Sequence, residues 1–278
     1  MDDLKALKQV VNTEKALEKE KQLGRMLRSF ETATVAFSGG ADSSYLLGKA
    51  VRVLGPREVE AVTLKSVLNP DREVEEAALF ALKLGVRHRV INIDITTDLE
   101  FMANTAERCY FCKRECFSKI AAVSAARGFK VVLDGSNADD LGDHRPGMRA
   151  AKELGIRSPL LQVSLGKQEI RYLSGKEGFS TWNKPSAACL ASRIPYGDEI
   201  TEDKLNKVAA AEQYLRELGV KNNLRVRCHG SIARIEVDKA DLDYIMRHRA
   251  EITAALREIG FIYVTVDLHG FESGSMNR

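Results

Sequence analysis

The chain is poor in several things, and each shortage removes a class of protein. No uninterrupted apolar run approaches the ~18 residues that cross a bilayer, so a helical membrane span is excluded. Net charge is small, since 42 Lys plus Arg against 39 Asp plus Glu leave a formal +3. The two signs are interleaved, and no polybasic arm commits the protein to nucleic acid. Five cysteines are an odd number, and Cys109, Cys112 and Cys116 fall within eight residues. That is unlike a disulfide framework in a chain of this length, so reduced thiols in a cytoplasmic setting are expected. The first thirty residues have no apolar leader core. They alternate charge with Leu4, Leu7, Val11, Leu23, Leu27 and Phe30, which predicts an amphipathic helix. No internal repeat or low-complexity tract is present.

What is there suits a globular protein. At roughly 100 to 200 residues per domain, 278 residues suggest two domains. From Thr34 to Asp134, short β-branched runs alternate with longer amphipathic stretches, the pattern of a parallel sheet with crossover helices. Strands are expected at Thr34–Phe37, Val59–Lys65, His88–Asp94 and Lys130–Asp134, and helices at Ser43–Leu54, Glu73–Leu84 and about Lys113–Arg127. The expected fold class is α/β, an open parallel sheet with helices on both faces, plus a smaller α+β C-terminal domain. The stretch from Gly166 to Ile200 holds the only Trp and two of the six Pro and breaks any long periodicity. The boundary is placed there, giving domains 1–180 and 181–278. In the second, a helix over Glu202–Leu218, strands at Leu224–His229 and Ile232–Asp238, a helix over Asp241–Ile259 and a strand at Ile262–Leu268 are expected.

The first strand runs into Ser38-Gly39-Gly40-Ala41-Asp42-Ser43-Ser44, and helical periodicity begins at once. Glycines let backbone amides converge, and a helix N-terminus adds positive dipole, so strand, turn and helix together form an anion site. The turn lacks the Lys-Ser/Thr pair of a Walker A loop and the G-x-G-x-x-G of a dinucleotide fold, which disfavours γ-phosphate hydrolysis and hydride transfer. An ordinary strand-to-helix turn of small residues is the plain alternative. In an open α/β sheet ligands bind beyond the carboxyl ends of the strands. Thr63 and Asn137, Asp139 and Asp140 stand there, the last three as ribose or metal contacts or merely as an Asx turn.

Cys109 and Cys112 form a C-x-x-C pair, and Cys189 lies far off within Lys184-Pro-Ser-Ala-Ala-Cys-Leu-Ala-Ser-Arg193. A redox pair, a zinc site completed by Cys116, three ligands of an iron-sulfur cluster, or unrelated thiols all fit this spacing. Cys228 alternates with Leu224 and Val226 and is expected in the core. On the opposite strand face Arg225, Arg227 and His229 form either a solvated surface or an anion clamp.

The glycine turn resembles the pyrophosphate loop of the N-type ATP pyrophosphatases, which cleave ATP between the α and β phosphates. Taken with Asp134-Gly-Ser-Asn-Ala-Asp-Asp140, Arg145-Pro-Gly147, Ala191-Ser-Arg-Ile-Pro-Tyr-Gly197, Arg225-Val-Arg227, Ala233-Arg-Ile-Glu236 and Tyr263-Val-Thr-Val-Asp267, nearly the whole chain resembles the LarE family of ATP-dependent sulfur transferases. That resemblance implies adenylation of a pyridinium dicarboxylate mononucleotide and its conversion to a thiocarboxylate, in the making of the nickel pincer nucleotide, by a homo-hexamer. It also implies that Ser38, Gly39, Gly40, Asp42 and Ser43 hold ATP and Mg²⁺, that Thr63 sits near the adenine, and that Ser192 and Arg193 stabilise phosphate. Arg225 and Arg227 would clamp the substrate, with Glu212 and Glu236 as metal or substrate contacts or simply solvated carboxylates. Members that sacrifice their own sulfur carry a donor cysteine where Ala188 stands here and no thiols at Cys109 and Cys112. The chain is thus similar to the branch in which Cys109, Cys112 and Cys189 hold a [4Fe-4S] cluster, leaving one iron for hydrosulfide. Cluster-dependent tRNA thiolation, ammonia-dependent amidation and a zinc-stapled nucleotide-binding module without turnover remain as alternatives.

Overall fold

A computed structural model describes residues 7–142, 146–185 and 189–272. Arg145 of the Arg-Pro-Gly motif and Ala188 lie outside the described residues. The chain divides into two compact units: residues 1–66, 71–95 and 109–187 form the first, and residues 67–70, 96–108 and 188–278 the second.

In the first unit, α1 (Thr13–Arg28) is capped by Asn12, whose side chain accepts from Lys15 N at 3.1 Å. It buries Ala16, Leu23 and Leu27. Strand β1 (Ala33–Ala36) leads through the glycine turn into α2 (Ala41–Leu54). Then follow β2 (Val59–Lys65), α3 (Asp71–Lys83), β3 (Arg87–Asn92), α4 (Arg108–Ala126), β4 (Val131–Leu133), α5 (Pro146–Glu153) and α6 (Lys167–Lys176). The sheet is parallel throughout, in the order β3-β2-β1-β4. Central β1 is buried at Ala33 and Val35, and Phe37 just beyond it is buried too, in one core with α2 residues Tyr45, Leu46, Leu47 and Ala50. This is the expected α/β layer, with strand ends shifted by a residue or two.

Helices α4, α5 and α6 depart from the expectation, α5 lying where no helix was expected. Helix α4 begins at Arg108, five residues before the predicted start, because Cys109 to Cys112 carry no apolar periodicity although they are helical. Helix α6 falls in the stretch taken as irregular. Only Ile170, Leu173 and Ser174 are buried on its ten residues, and its start is fixed by Gly166 N donating to Glu169 Oε2 at 2.9 Å, a pattern too short to show as periodicity.

The second unit is built on α7 (Glu202–Leu218), capped by Thr201 and buried at Leu205, Val208, Ala211 and Leu215 in steps of three and four. Strands β5 (Leu224–His229) and β6 (Ile232–Val237) pair antiparallel, and β7 (Tyr263–Val266) runs parallel to β6. The predicted helix over 241–259 is two helices, α8 (Leu242–Arg247) and α9 (Arg249–Glu258). They part at His248, which stacks on Tyr244 at 4.1 Å, while the Tyr244 hydroxyl donates to Leu218 O at 2.6 Å and ties α8 to the end of α7. Among the described residues, no helix is long and apolar enough to cross a membrane.

Candidate functional site

The glycine turn sits between the carboxyl end of β1 and the first turn of α2, where the amides of a helix N-terminus and the helix dipole favour an anion. Gly39 has φ +75°, and a Cβ there would stand 3.0 Å from that of Ala77, so the turn needs glycine twice over. Ser38 Oγ and Ser43 Oγ are 3.0 Å apart, Gly40 N donates to Ser38 Oγ at 3.4 Å, and Ser43 Oγ donates to Gly40 O at 3.2 Å. The hydroxyls thus preform the loop.

Thr63, buried at the end of β2, donates to Phe37 O at 2.7 Å and lies 2.8 Å from His88 Nε2. A threonine hydroxyl has one proton, and it goes to Phe37; His88 therefore donates through Nε2 and leaves Nδ1 as its acceptor. Burial lowers the His88 pKa, in keeping with a neutral ring.

The Asp134–Asp140 motif brings its own support. Gly135 lies so close to α2 that a Cβ would be 3.0 Å from Ser43 N, which excludes any other residue without a backbone shift. Asn137 O δ1 accepts from Asp139 N, and Asp140 Oδ2 accepts from Asn137 N, both at 3.0 Å, which is the turn-forming role. The same turn delivers Asn137 Nδ2 to Asp42 Oδ2 at 3.0 Å. Asp139 instead accepts from Lys167 N at 2.6 Å, at the start of α6. Burial, then the nearby Asp140 carboxylate, raise the Asp42 pKa; a cation there would relieve both.

Lys184 is a residue that motif reading passed over. Its Nζ donates to Gly39 O at 3.1 Å and pairs with Glu76 at 2.9 Å, bringing a positive charge to the phosphate loop from 145 residues away. Burial works against the Glu76 carboxylate, but hydrogen bonds from Lys184 and Arg72 outweigh it and lower its pKa. Neither a periodicity nor a spacing in the sequence signals this contact.

The three thiols of α4 stand at i, i+3 and i+7, along one side of the helix. Cys109 is exposed, Cys112 and Cys116 are half-buried, and the Sγ atoms of the latter pair are 4.0 Å apart. Gly147 explains part of the Arg-Pro-Gly motif, since a Cβ on it would meet the Lys113 side chain at 2.8 Å and Cys109 O at 3.3 Å. Cys189 is exposed and belongs to the second unit. Among the described residues, no group of three or more His, Cys, Asp or Glu is gathered as a metal site.

The remaining candidates converge within the second unit. Cys189 opens a short 3₁₀ turn, Leu190–Arg193. Arg193, only 3% exposed, grips Glu212 with Nε and Nη2 at 2.8 and 3.0 Å, and its Nη1 reaches Cys189 O and Ser192 Oγ at 3.2 and 3.0 Å. Glu212 Oε1 also accepts from Val226 N at 2.9 Å. Arg227 holds Glu236 Oε2 through Nε and Nη2 at 3.0 and 2.7 Å and donates from Nη1 to Ser192 O at 2.9 Å. Both Arg227 and Glu236 are buried, so the solvated reading of these two fails: Glu236 on β6 turns to the same side as Arg227 and also accepts from Arg234 at 2.9 Å. Arg225 lies over the Phe271 ring at 5.3 Å, and burial, followed by repulsion from Arg193, lowers its pKa to about 10. Such a desolvated cluster of cations favours an anion beside it. Cys228 is buried on the other strand face, and burial raises its thiol pKa, as a core residue requires.

Comparisons with known proteins span most of the chain. The asparagine synthase family matches residues 20–226. The pyridinium-3,5-bisthiocarboxylic acid mononucleotide synthase of Lactiplantibacillus plantarum is 38% identical over 93% of this chain and 94% of its own. An uncharacterised protein of Synechocystis is 39% identical over 94% and 97% of the two chains, and one of Methanocaldococcus jannaschii 31% identical over 86% and 90%.

Proposed function

This chain belongs to the LarE family of PP-loop enzymes, an ATP-dependent sulfur transferase, and on that premise we propose how its residues divide the work of inserting sulfur into a pyridinium mononucleotide. A ring carboxylate oxygen attacks the α-phosphorus of ATP, and the bond to pyrophosphate breaks. Hydrosulfide then attacks the acyl carbon as the carbon–oxygen bond to AMP breaks, leaving a thiocarboxylate and releasing the hydrosulfide proton. Ser38, Gly39, Gly40 and Ser43 hold the departing pyrophosphate, with Lys184 adding charge to the loop. Asp42, steadied by Asn137, holds Mg²⁺. Thr63 shapes the floor beside the adenine. Arg225, with Ser192, is placed to bind the anionic groups of the substrate, while Arg227, its three nitrogens engaged by Glu236 and Ser192 O, braces the strand beside it. The observation that carries this reading is the preformed Ser38–Ser43 loop at the head of α2.

For the sulfur source, we infer a [4Fe-4S] cluster held by Cys109, Cys112 and Cys189. The donors fit it in chemistry: all three are soft sulfur ligands, none is in a disulfide, and Cys109 and Cys189 are exposed. When bound, a cluster with three protein ligands supplies one iron at which hydrosulfide can exchange. Cys116, 4.0 Å from Cys112, is the thiol that competes with this assignment.

The test is pyrophosphate release and mass analysis of the nucleotide product after anaerobic purification. The expected outcome is pyrophosphate release dependent on a dicarboxylated pyridinium mononucleotide, with oxygen replaced by sulfur in the product, and iron and sulfide in the protein. Pyrophosphate release indifferent to that nucleotide would overturn the substrate. Zinc without sulfide, or a Cys116→Ala variant as damaged as Cys109→Ala, would overturn the ligand set.

A further inference from the structure

Cys189 occupies an unusual position, because its exposed thiol rides on a turn too short to fix itself. A 3₁₀ segment of four residues has one strained turn of hydrogen bonds and borrows its rigidity from neighbours. Here two arginines reach it at two different carbonyl oxygens. Arg193 holds Cys189 O and Arg227 holds Ser192 O, each guanidinium being locked in turn by a carboxylate on another element. Glu212 does more than neutralise Arg193. It binds the guanidinium through both oxygens, and Oε1 also takes the backbone N–H of Val226, so one side chain couples α7, β5 and the turn. All three nitrogen atoms of Arg193 are thereby engaged within the protein.

We propose that Arg193 and Glu212 are positioning residues that fix the direction in which Cys189 presents its sulfur, and that Arg193 acts in this way and not as a phosphate contact. The inference rests on the reading that Cys189 serves sulfur transfer. A planar fork matched to both carboxylate oxygens sets orientation as well as charge, which an ammonium or an amide cannot reproduce. Glu212→Gln replaces an acceptor with an NH2 group facing donors, and Arg193→Lys keeps the charge and loses the fork. In this role neither residue acts on the reacting atoms itself, so loosening them should displace Cys189 and leave the ATP loop alone.

The experiment measures steady-state sulfur transfer and, in the same protein without cluster, the rate at which iodoacetamide alkylates each cysteine, resolved by peptide mass spectrometry. For Glu212→Gln we expect kcat to fall about tenfold or more, since small misplacements of a reacting group are costly, while KM for ATP holds. Cys189 alkylation should rise about threefold or more as the turn opens locally, with Cys109 in the same sample as the unchanged internal standard. Arg193→Lys should behave alike and serves if Glu212→Gln fails to fold. Unchanged Cys189 alkylation, or a parallel change at Cys109, overturns the proposal. A Cys189→Ser variant that still transfers sulfur overturns the functional reading instead, a result the alkylation rates do not depend on.

Discussion

The two units build their candidate sites from opposite materials. Around α2 the work falls to backbone and small side chains: Gly39 at positive φ, Gly135 flat against Ser43, and two serines 3.0 Å apart. Around the turn that carries Cys189 it falls to long side chains in pairs, Arg193 with Glu212 and Arg227 with Glu236. A backbone cradle is set by the fold itself and needs no desolvated charge. A side-chain cradle must neutralise each buried guanidinium, and it depends on every partner being present. The difference predicts distinct failures: the first unit should lose chemistry while keeping its fold, and the second should lose both.

The largest effect is therefore expected at Glu236, fully buried and shared between Arg227 and Arg234. Glu236→Gln leaves Arg227 short of a counter-charge in the interior and should cost about 3–5 kcal/mol of stability. Urea unfolding followed by circular dichroism measures it. A loss no larger than that of a surface change would make the second unit's cradle dispensable and erase the contrast. Next is Asp42→Asn, which keeps the shape of the loop and removes the charge proposed for Mg²⁺. Pyrophosphate release should fall on the order of 10²-fold while the melting temperature holds or rises, because the Asp42 carboxylate is already disfavoured by burial and by Asp140. A marked fall in melting temperature would show that the first unit, too, is built on paired charge.

A third and smaller effect separates packing from chemistry within the first unit. Gly135→Ala places a Cβ 3.0 Å from Ser43 N, a contact with backbone that a flexible side chain cannot relieve. Overpacking of this kind costs about 1–3 kcal/mol, and here it would push the Asp134–Asp140 turn from α2 and weaken ATP binding. Isothermal titration with a non-hydrolysable ATP analogue tests it. Unaltered affinity would mean that the close approach serves the fold alone.

The sequence was legible where pattern is local. Strands β2 and β5 and helix α7 stand where alternation and three-to-four spacing put them, and the loop Ser38 to Ser44 announces its chemistry through glycine, serine and aspartate between a strand and a helix. What escaped is what depends on long-range pairing. Lys184 meets Gly39, Glu212 meets Val226, and His88 meets Thr63 only once the chain has folded, and no periodicity records them. Arg227 and Glu236 were left between a solvated face and a substrate contact, because alternation assigns a face without saying whether that face is covered. The first turn of α4 was missed because its Cys109-Tyr110-Phe111-Cys112 run carries no apolar stripe.

The smallest effect compares the units through their histidines. Burial lowers the pKa of His88 in the first unit, and burial, then Arg234, lower that of His229 in the second. The unfolded chain, titrating near 6.5, binds a proton that the native ring resists, so each contributes stability that is present above pH 6.5 and is lost as pH falls toward the depressed native value. One such group gives a slope of at most about 1.4 kcal/mol per pH unit. Urea midpoints taken from pH 7.5 down to 5.5 should decline, and His88→Gln should flatten part of the decline without shifting the pH 7.5 value by more than the loss of its bond to Thr63 explains. His229→Gln should remove a further part if its ring, on the arginine-rich strand, is also held neutral. An unchanged slope in the His88 variant would mean that this ring is protonated in the native protein, and Thr63 would then face a cation at the phosphate loop instead of a neutral donor.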